Sequence, residues 1–436
     1  MTNGVRDADF SPQVHLNLNV RGMSRSATIA INEQINDLRR QGRDVVRLGL
    51  GQSPFPVPDV MVRALREHAG EKDYLPTKGL PELRHAIVDY YRRDHGLEYL
   101  PENVLVGPGT KELMFLVQLV YYGELVIPAP SWVSYAPQAR IIGRNLHWLP
   151  TEIETGLGVT PEALERVCAA DPDRPRLLIL NYPGNPTGTA YSEQQLQGIA
   201  EVARRYRMLL LADEIYSGLR FDGTHCSIAP YYPEGTILSN GVSKWAGAGG
   251  WRLGAFTFPT TLTWLVDAMA AVASETFTST SAPIQYAAVH AFDSSPEWDD
   301  YLRQARGILR SLMRYSYERL RATGAELAEP KGGFYVFPNF SAPRTRLEAR
   351  GIRSSRELCK RALDELGIAF LPGHVFGRPE DELSVRISCV DFDGAAAMEA
   401  AAELAPGEQP GEDFLDKYCN PTFDAINRLA DWVSGS

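Results

Sequence analysis

Long apolar runs are missing from this chain. No stretch approaches the roughly 18 consecutive apolar residues that cross a bilayer as a helix, so no membrane role is expected. A basic block is missing too: 436 residues carry 44 Lys and Arg against 54 Asp and Glu, a formal charge of −10. An acidic chain without a basic stripe lacks the electrostatic footprint that holds nucleic acid or anionic lipid. Cysteine is sparse. The five thiols, Cys168, Cys226, Cys359, Cys389 and Cys419, lie far apart and form no Cys-x-x-Cys pair. That excludes a zinc ribbon and points to reduced thiols in a cytoplasmic protein. The eight histidines form no His-x-x-x-His pair, and no metal is expected. Residues 1–12 are polar, with Asp7 and Asp9, and do not read as a signal peptide. Internal repeats and low-complexity tracts are absent.

Lysine is the most informative scarcity. Only seven of the 44 basic residues are lysines, and between Lys111 and Lys331 there is one, Lys244. Where arginine supplies every other cation, a lone central lysine suggests a site that needs an amine.

The rest of the chain alternates short apolar runs with helical patterns. Strands are expected at 104–106, 125–127, 146–149, 177–180, 208–212, 236–239 and 253–258, several continuously apolar as in a sheet buried on both faces. Helices are expected over 112–122 and over 192–206, the second capped by Ser192. The pattern reads as an α/β domain with a mostly parallel seven-stranded sheet, in which ligands sit beyond the carboxyl ends of the strands. From about Pro296 it changes to a smaller α+β domain: a long basic helix over 299–322, a strand around 334–337, a helix over 354–366, a strand over 383–389 and a helix over 394–404. The expected organisation is an arm with part of the small domain (1–58), a large domain (59–296), the small domain (297–405), and a linker with an extra helical segment broken at Pro421 (406–436). The arm contains a helix over 27–41, ended by Gly42.

Candidate chemistry collects at the strand ends. The first strand runs into Gly107-Pro108-Gly109-Thr110-Lys111 and an apolar helix, a turn whose N–H groups can approach an anion. It is neither a dinucleotide fingerprint nor a P-loop. Alone, such a turn is more often structural. The fourth strand ends in Asn181-Tyr182-Pro183-Gly184-Asn185-Pro186-Thr187-Gly188, a rigid turn that can aim Asn185. The fifth delivers Asp213-Glu214-Ile215-Tyr216, where Asp213 either caps the next helix or meets a buried cation. The sixth ends near Ser243-Lys244, with Gly250-Trp251-Arg252-Leu253-Gly254 close behind.

In that order these motifs, with Gly51 through Pro58, Tyr74 with Gly79, Pro130-Ser131-Trp132-Val133-Ser134-Tyr135 and Val385-Arg386-Ile387-Ser388, resemble the class I/II aminotransferases. These are fold-type-I enzymes dependent on pyridoxal 5'-phosphate (PLP), and the resemblance covers residues 23–404. It implies that Lys244 links covalently to PLP and shuttles a proton, while Asp213 keeps the pyridine nitrogen protonated. Tyr216 and Asn185 would bond the ring oxygen, and Trp132 would stack on the ring. Gly109, Thr110 and Lys111 would meet the phosphate through backbone N–H groups, with Ser243 and Arg252 adding side chains. Tyr74 would reach the neighbouring subunit's phosphate, so a homodimer with shared active sites is implied. Arg386 would fork the substrate α-carboxylate, beside Gly51, Trp132 and Asn185. In some members a lysine at the Lys111 position reads the distal carboxylate of aspartate or glutamate; the alternative is a backbone role only.

The implied reaction moves an amino group between an amino acid and a 2-oxo acid. The alternative is other PLP chemistry on the same scaffold: β- or γ-elimination or replacement, cyclisation, or amino-acid oxidation. Two departures fall on the substrate side. The usual Gly-Glu-Pro-Asp-Phe reads Gly51-Gln52-Ser53-Pro54-Phe55, and the segment before Trp251 is the glycine-rich Ala248-Gly249-Gly250. A transcription regulator on this scaffold is not expected, because the resemblance starts near residue 23 and the chain is acidic.

Overall fold

The computed structural model describes residues 15–405 and 407–435. The signal-peptide reading of residues 1–12, and Pro406 of the linker, lie outside them.

All seven expected central strands form, each within a few residues of its expected bounds: β1 (Val104–Gly107), β2 (Glu124–Ala129), β3 (Leu146–Pro150), β4 (Arg176–Asn181), β5 (Leu209–Asp213), β6 (Thr236–Gly241) and β7 (Gly254–Thr257). Their order across the sheet is β1-β7-β6-β5-β4-β2-β3. Pairings among β3, β2, β4, β5 and β6 are parallel, and β7 runs antiparallel between β6 and β1. The continuously apolar strands divide by their period of two. Leu178, Leu180, Leu210, Ala212 and Leu238 enter one core. Leu177, Ile179, Leu209, Leu211 and Ile237 enter the other, against Leu113, Leu116, Leu265 and Met269 of covering helices.

The chain passes from β2 outward to β3 and then returns to β4 on the other side of β2. That reversal leaves a crevice beyond the carboxyl ends of β2 and β4, where open α/β sheets bind ligands. The loops leaving those two strands carry Trp132 and Asn185.

The second unit has a three-stranded antiparallel sheet, Leu371–Pro372 beside Val385–Ser388 beside Tyr335–Val336. The arm joins it directly: Val46–Arg47 pairs in parallel with Ile368–Ala369. Ile35 and Val45 also pack with Leu363 and Ala369. The long helix spans Pro296–Arg321 and starts earlier than expected, because Ser295 caps it by accepting from the Trp298 N–H. At the C-terminus the break falls at Cys419, between helices Glu412–Tyr418 and Asn420–Ser434. Pro421 sits in the first turn of the second, where its missing N–H costs nothing.

Candidate active site

A cavity of about 590 Å³ opens at the crevice. Thr110, Lys111, Trp132, Asn185, Asp213, Tyr216, Ser243, Lys244, Arg252, Gly51 and Arg386 all line it. Gly109 lies immediately behind, and Tyr74 stands apart, 90% exposed in its loop.

One end of the cavity is built for an anion. The helix Thr110–Val120 begins without a side-chain cap, and while the Gly109 and Glu112 N–H groups donate to backbone carbonyls, those of Thr110 and Lys111 have no protein acceptor. Gly109 adopts a φ of 90°, and a Cβ there would collide with the Arg252 guanidinium. Glycine therefore lets that guanidinium lie against the helix start. Arg252 donates only to the backbone carbonyls of Gly249 and Pro108, at 2.9 and 3.3 Å. Lys111 sits over the Trp132 ring, 5.1 Å from its centroid. Burial and the charge of Arg252 pull its pKa down. Among the described residues neither cation has an ion-pair partner.

Asp213, the last residue of β5, is buried. Tyr135 Oη donates to its Oδ2 at 2.5 Å, and Ser239 Oγ to its Oδ1 at 3.4 Å. Burial lifts the carboxyl pKa to about 6, against the pull of those hydrogen bonds. The alternative in which Asp213 only caps the next helix is not met, since a short 3-10 turn, Ser217–Leu219, comes next.

Lys244 lies just beyond β6 and opens onto the cavity, yet protein atoms surround its amine. Nζ donates to the Gly51 carbonyl at 2.6 Å. Enclosure, then the charge of Arg386, lowers its pKa to about 8.

Arg386 closes the far end. It is 1% exposed and so is not a solvated arginine. Nη1 donates to Asn185 Oδ1 at 3.1 Å and Nη2 to the Gly49 carbonyl, while the guanidinium stacks 4.8 Å from the Tyr335 centroid. Its Nε has no partner, and no carboxylate lies within ion-pair distance among the described residues. A buried cation left so incompletely compensated favours an incoming carboxylate. Asn185 and Tyr216 are engaged with protein groups: Asn185 with Arg386, and the Tyr216 hydroxyl with that of Tyr335 at 2.9 Å.

Sequence patterns give no role to Tyr135, Ser239 or Tyr335. Tyr135 is visible there only as the end of the Pro130–Tyr135 motif. Its signal is position, at the start of a helix (Tyr135–Ile142) whose first turn faces β5.

The model of the family "Aminotransferase class I and II" matches residues 43–404. The chain belongs to that family. It is an aminotransferase, moving an amino group between an amino acid and a 2-oxo acid. It is 34% identical over 396 residues to an aspartate aminotransferase of Geobacillus stearothermophilus, covering 88% of this chain and 96% of that protein. An aspartate/prephenate aminotransferase of Cereibacter sphaeroides is 34% identical over 364 residues, covering 81% and 89%. Among solved structures, the aspartate aminotransferase of Thermus thermophilus with maleate superposes with a TM-score of 0.80 at 30% identity, covering 96% and 100%.

For this aminotransferase the Tyr135–Asp213 contact makes a prediction. A hydrogen bond to a charged group contributes about 1.5–3 kcal/mol, so Tyr135→Phe should lower kcat by up to about a hundred-fold, the limit at which the whole bond acts in the transition state. Because the bond lowers the Asp213 pKa, its loss raises that pKa. The acid limb of the pH–rate profile should therefore move to higher pH; an unmoved limb would leave Tyr135 with a packing role only.

Proposed function

We propose that this aminotransferase holds PLP in the cavity and acts on a dicarboxylic amino acid of the aspartate type, as a homodimer. The carrying observation is the arrangement of charge: three incompletely paired cations, Arg386, Lys111 and Arg252, with one buried carboxylate, Asp213, between the ends. The residues fit a flat, phosphorylated, cationic ring. The uncapped helix start at Thr110 with Gly109, Ser243 and Arg252 would hold the phosphate. Trp132 would cover a ring face, Asn185 and Tyr216 would meet its oxygen, and Asp213 would keep a proton on its nitrogen. When bound, this cofactor supplies an electron sink for charge developing at the substrate Cα.

The chain's own groups do the rest. Arg386 takes the α-carboxylate in a bidentate fork, with Asn185 and the Tyr335 ring fixing the guanidinium. Gly51, beside this fork, lets the Tyr335 hydroxyl pack against the chain, because a Cβ there would strike it. Lys244, with a pKa near 8, has an appreciable free-amine fraction at neutral pH. Its Nζ takes the proton from the substrate Cα and would deliver it to the C4' carbon of the bound cofactor. Lys111, whose amine has no ion-pair partner among the described residues, reads the distal carboxylate.

Residues 59–296 act as the cofactor-holding unit in this reading. Residues 1–58 and 297–405 carry Arg386 and the arm, and 406–436 form a linker and added helices. The five unpaired thiols suit the cytoplasm. The substrate test is Lys111→Met. The Michaelis constant for aspartate should rise about ten-fold or more while that for an apolar amino acid stays put. An equal change for both would remove Lys111 from specificity.

Tyr74 carries the dimer proposal. A tyrosine so exposed in one chain gains a role if it completes the neighbouring site. Sedimentation of the cofactor-saturated enzyme should show a dimer, and Tyr74→Ala should weaken cofactor retention. An active, saturated monomer would contradict the proposal.

A further inference from the structure

The hydroxyl of Tyr335 has no part in the chemistry assigned so far, yet it lies at the centre of the site. Tyr335 belongs to the strand Tyr335–Val336 of the second unit, is buried, and lines the catalytic cavity. Its hydroxyl stands 2.9 Å from that of Tyr216, which follows β5 in the large unit. Among the described residues neither hydroxyl has another hydrogen-bond partner in the protein.

The contact is held from several sides. Tyr216 is boxed by two rings set nearly perpendicular to its own, Phe334 at 5.6 Å and Tyr335 at 5.7 Å between centroids. The segment leading to Tyr335 is tied to the large unit. There the Lys331 N–H donates to the Gly188 carbonyl at 2.7 Å, and the Gly333 N–H to the Leu219 carbonyl at 3.1 Å. The Tyr335 oxygen lies against Gly51, where only a residue without a Cβ fits. The pair is therefore fixed by packing rather than by a chance approach of two free side chains.

Proton counting gives the bond a direction. A phenol has one proton to donate and lone pairs with which to accept. If Tyr216 donates its proton to the ring oxygen of the cofactor, the bond between the two tyrosines can run only one way: Tyr335 donates and Tyr216 accepts. A hydroxyl that accepts in this way is polarised into a stronger donor, and more so out of water. We propose that Tyr335 is a positioning residue, whose hydroxyl aims and strengthens the Tyr216 hydroxyl as the donor to the cofactor oxygen. The proposal rests on the reading in which PLP fills this cavity with Tyr216 at its oxygen. The Tyr335 ring, stacked 4.8 Å from the Arg386 guanidinium, has a separate task, and Tyr335→Phe leaves that ring in place.

The test follows the visible absorbance of the holoenzyme across pH, without substrate. A hydrogen bond to the negative oxygen favours the deprotonated chromophore, so weakening that bond raises the midpoint of the colour change. Tyr216→Phe deletes the bond and should raise the midpoint by about one to two pH units. Tyr335→Phe removes only the polarising partner and should raise it by about 0.3 unit, with KM for the amino acid unchanged. Added to Tyr216→Phe, the Tyr335→Phe change should have no further effect, because its route to the cofactor is gone. A midpoint unmoved by Tyr335→Phe, a shift that persists undiminished in the Tyr216→Phe background, or a raised KM in its place would overturn the proposal and leave the cofactor reading standing. A midpoint that Tyr216→Phe itself leaves unmoved would overturn that reading of Tyr216, and the proposal with it.

Discussion

Replacing Lys244 by alanine should abolish turnover and covalent cofactor attachment together. Loss of a positioned base alone lowers a rate by roughly 10² to 10⁴-fold, and Lys244 is assigned the covalent role as well, so the fall should exceed that range. Of the other lysines only Lys111 lines the cavity, at the anion-binding end over the Trp132 ring, and the remaining five are not part of the lining. Reduction with borohydride and then peptide mapping should find the cofactor on Lys244 in the wild type and nowhere in the variant. The same amine carries a pH signature. Its pKa is lowered to about 8, so in cofactor-free protein its acylation rate should climb with pH and level off above about 8. An ordinary lysine would still be climbing two pH units higher.

Arg386→Gln should be nearly as damaging, by a different route. Removing one partner of a buried, hydrogen-bonded charge pair costs about 2–5 kcal/mol, or roughly 30- to 4,000-fold in kcat/KM. Much of the loss should appear in kcat, because the fork holds the Cα–H bond where Lys244 can reach it. An amine substrate without a carboxylate should be nearly indifferent to the change. If it loses as much as aspartate does, Arg386 supports the fold rather than the substrate. The buried stack on Tyr335 makes that control necessary.

How legible each element is in the sequence depends on its physics. The strands are legible because burial on both faces leaves a continuous apolar run, and seven such runs separated by helical patterns have few arrangements. The edge residues are legible because each stands at a strand end: Asp213 closes β5, and Lys244 lies three residues beyond β6. Arg386 is assigned through its motif, while its own strand pattern allows a solvated residue. The approach of Tyr335, Phe376, Asn185 and Gly49 encloses it, and those come from distant parts of the chain. Tyr135 escapes a sequence reading for the same reason. Its partner is 78 positions away, and nothing local marks a tyrosine at a helix start as the donor to a carboxylate at a strand end. The expected start of the long helix is three residues late because Ser295-Pro296 resembles linker, whereas it forms the cap and first turn.

The most direct measurement tracks one nitrogen atom. A single turnover of the holoenzyme with ¹⁵N-labelled aspartate should release one equivalent of the matching 2-oxo acid per site, without labelled ammonia. Adding a second 2-oxo acid should then deliver the label into the new amino acid. Labelled ammonia in solution, a cyclised product or a lost side-chain group, with no transfer to the second acid, would contradict the assignment of this cavity to amino-group transfer.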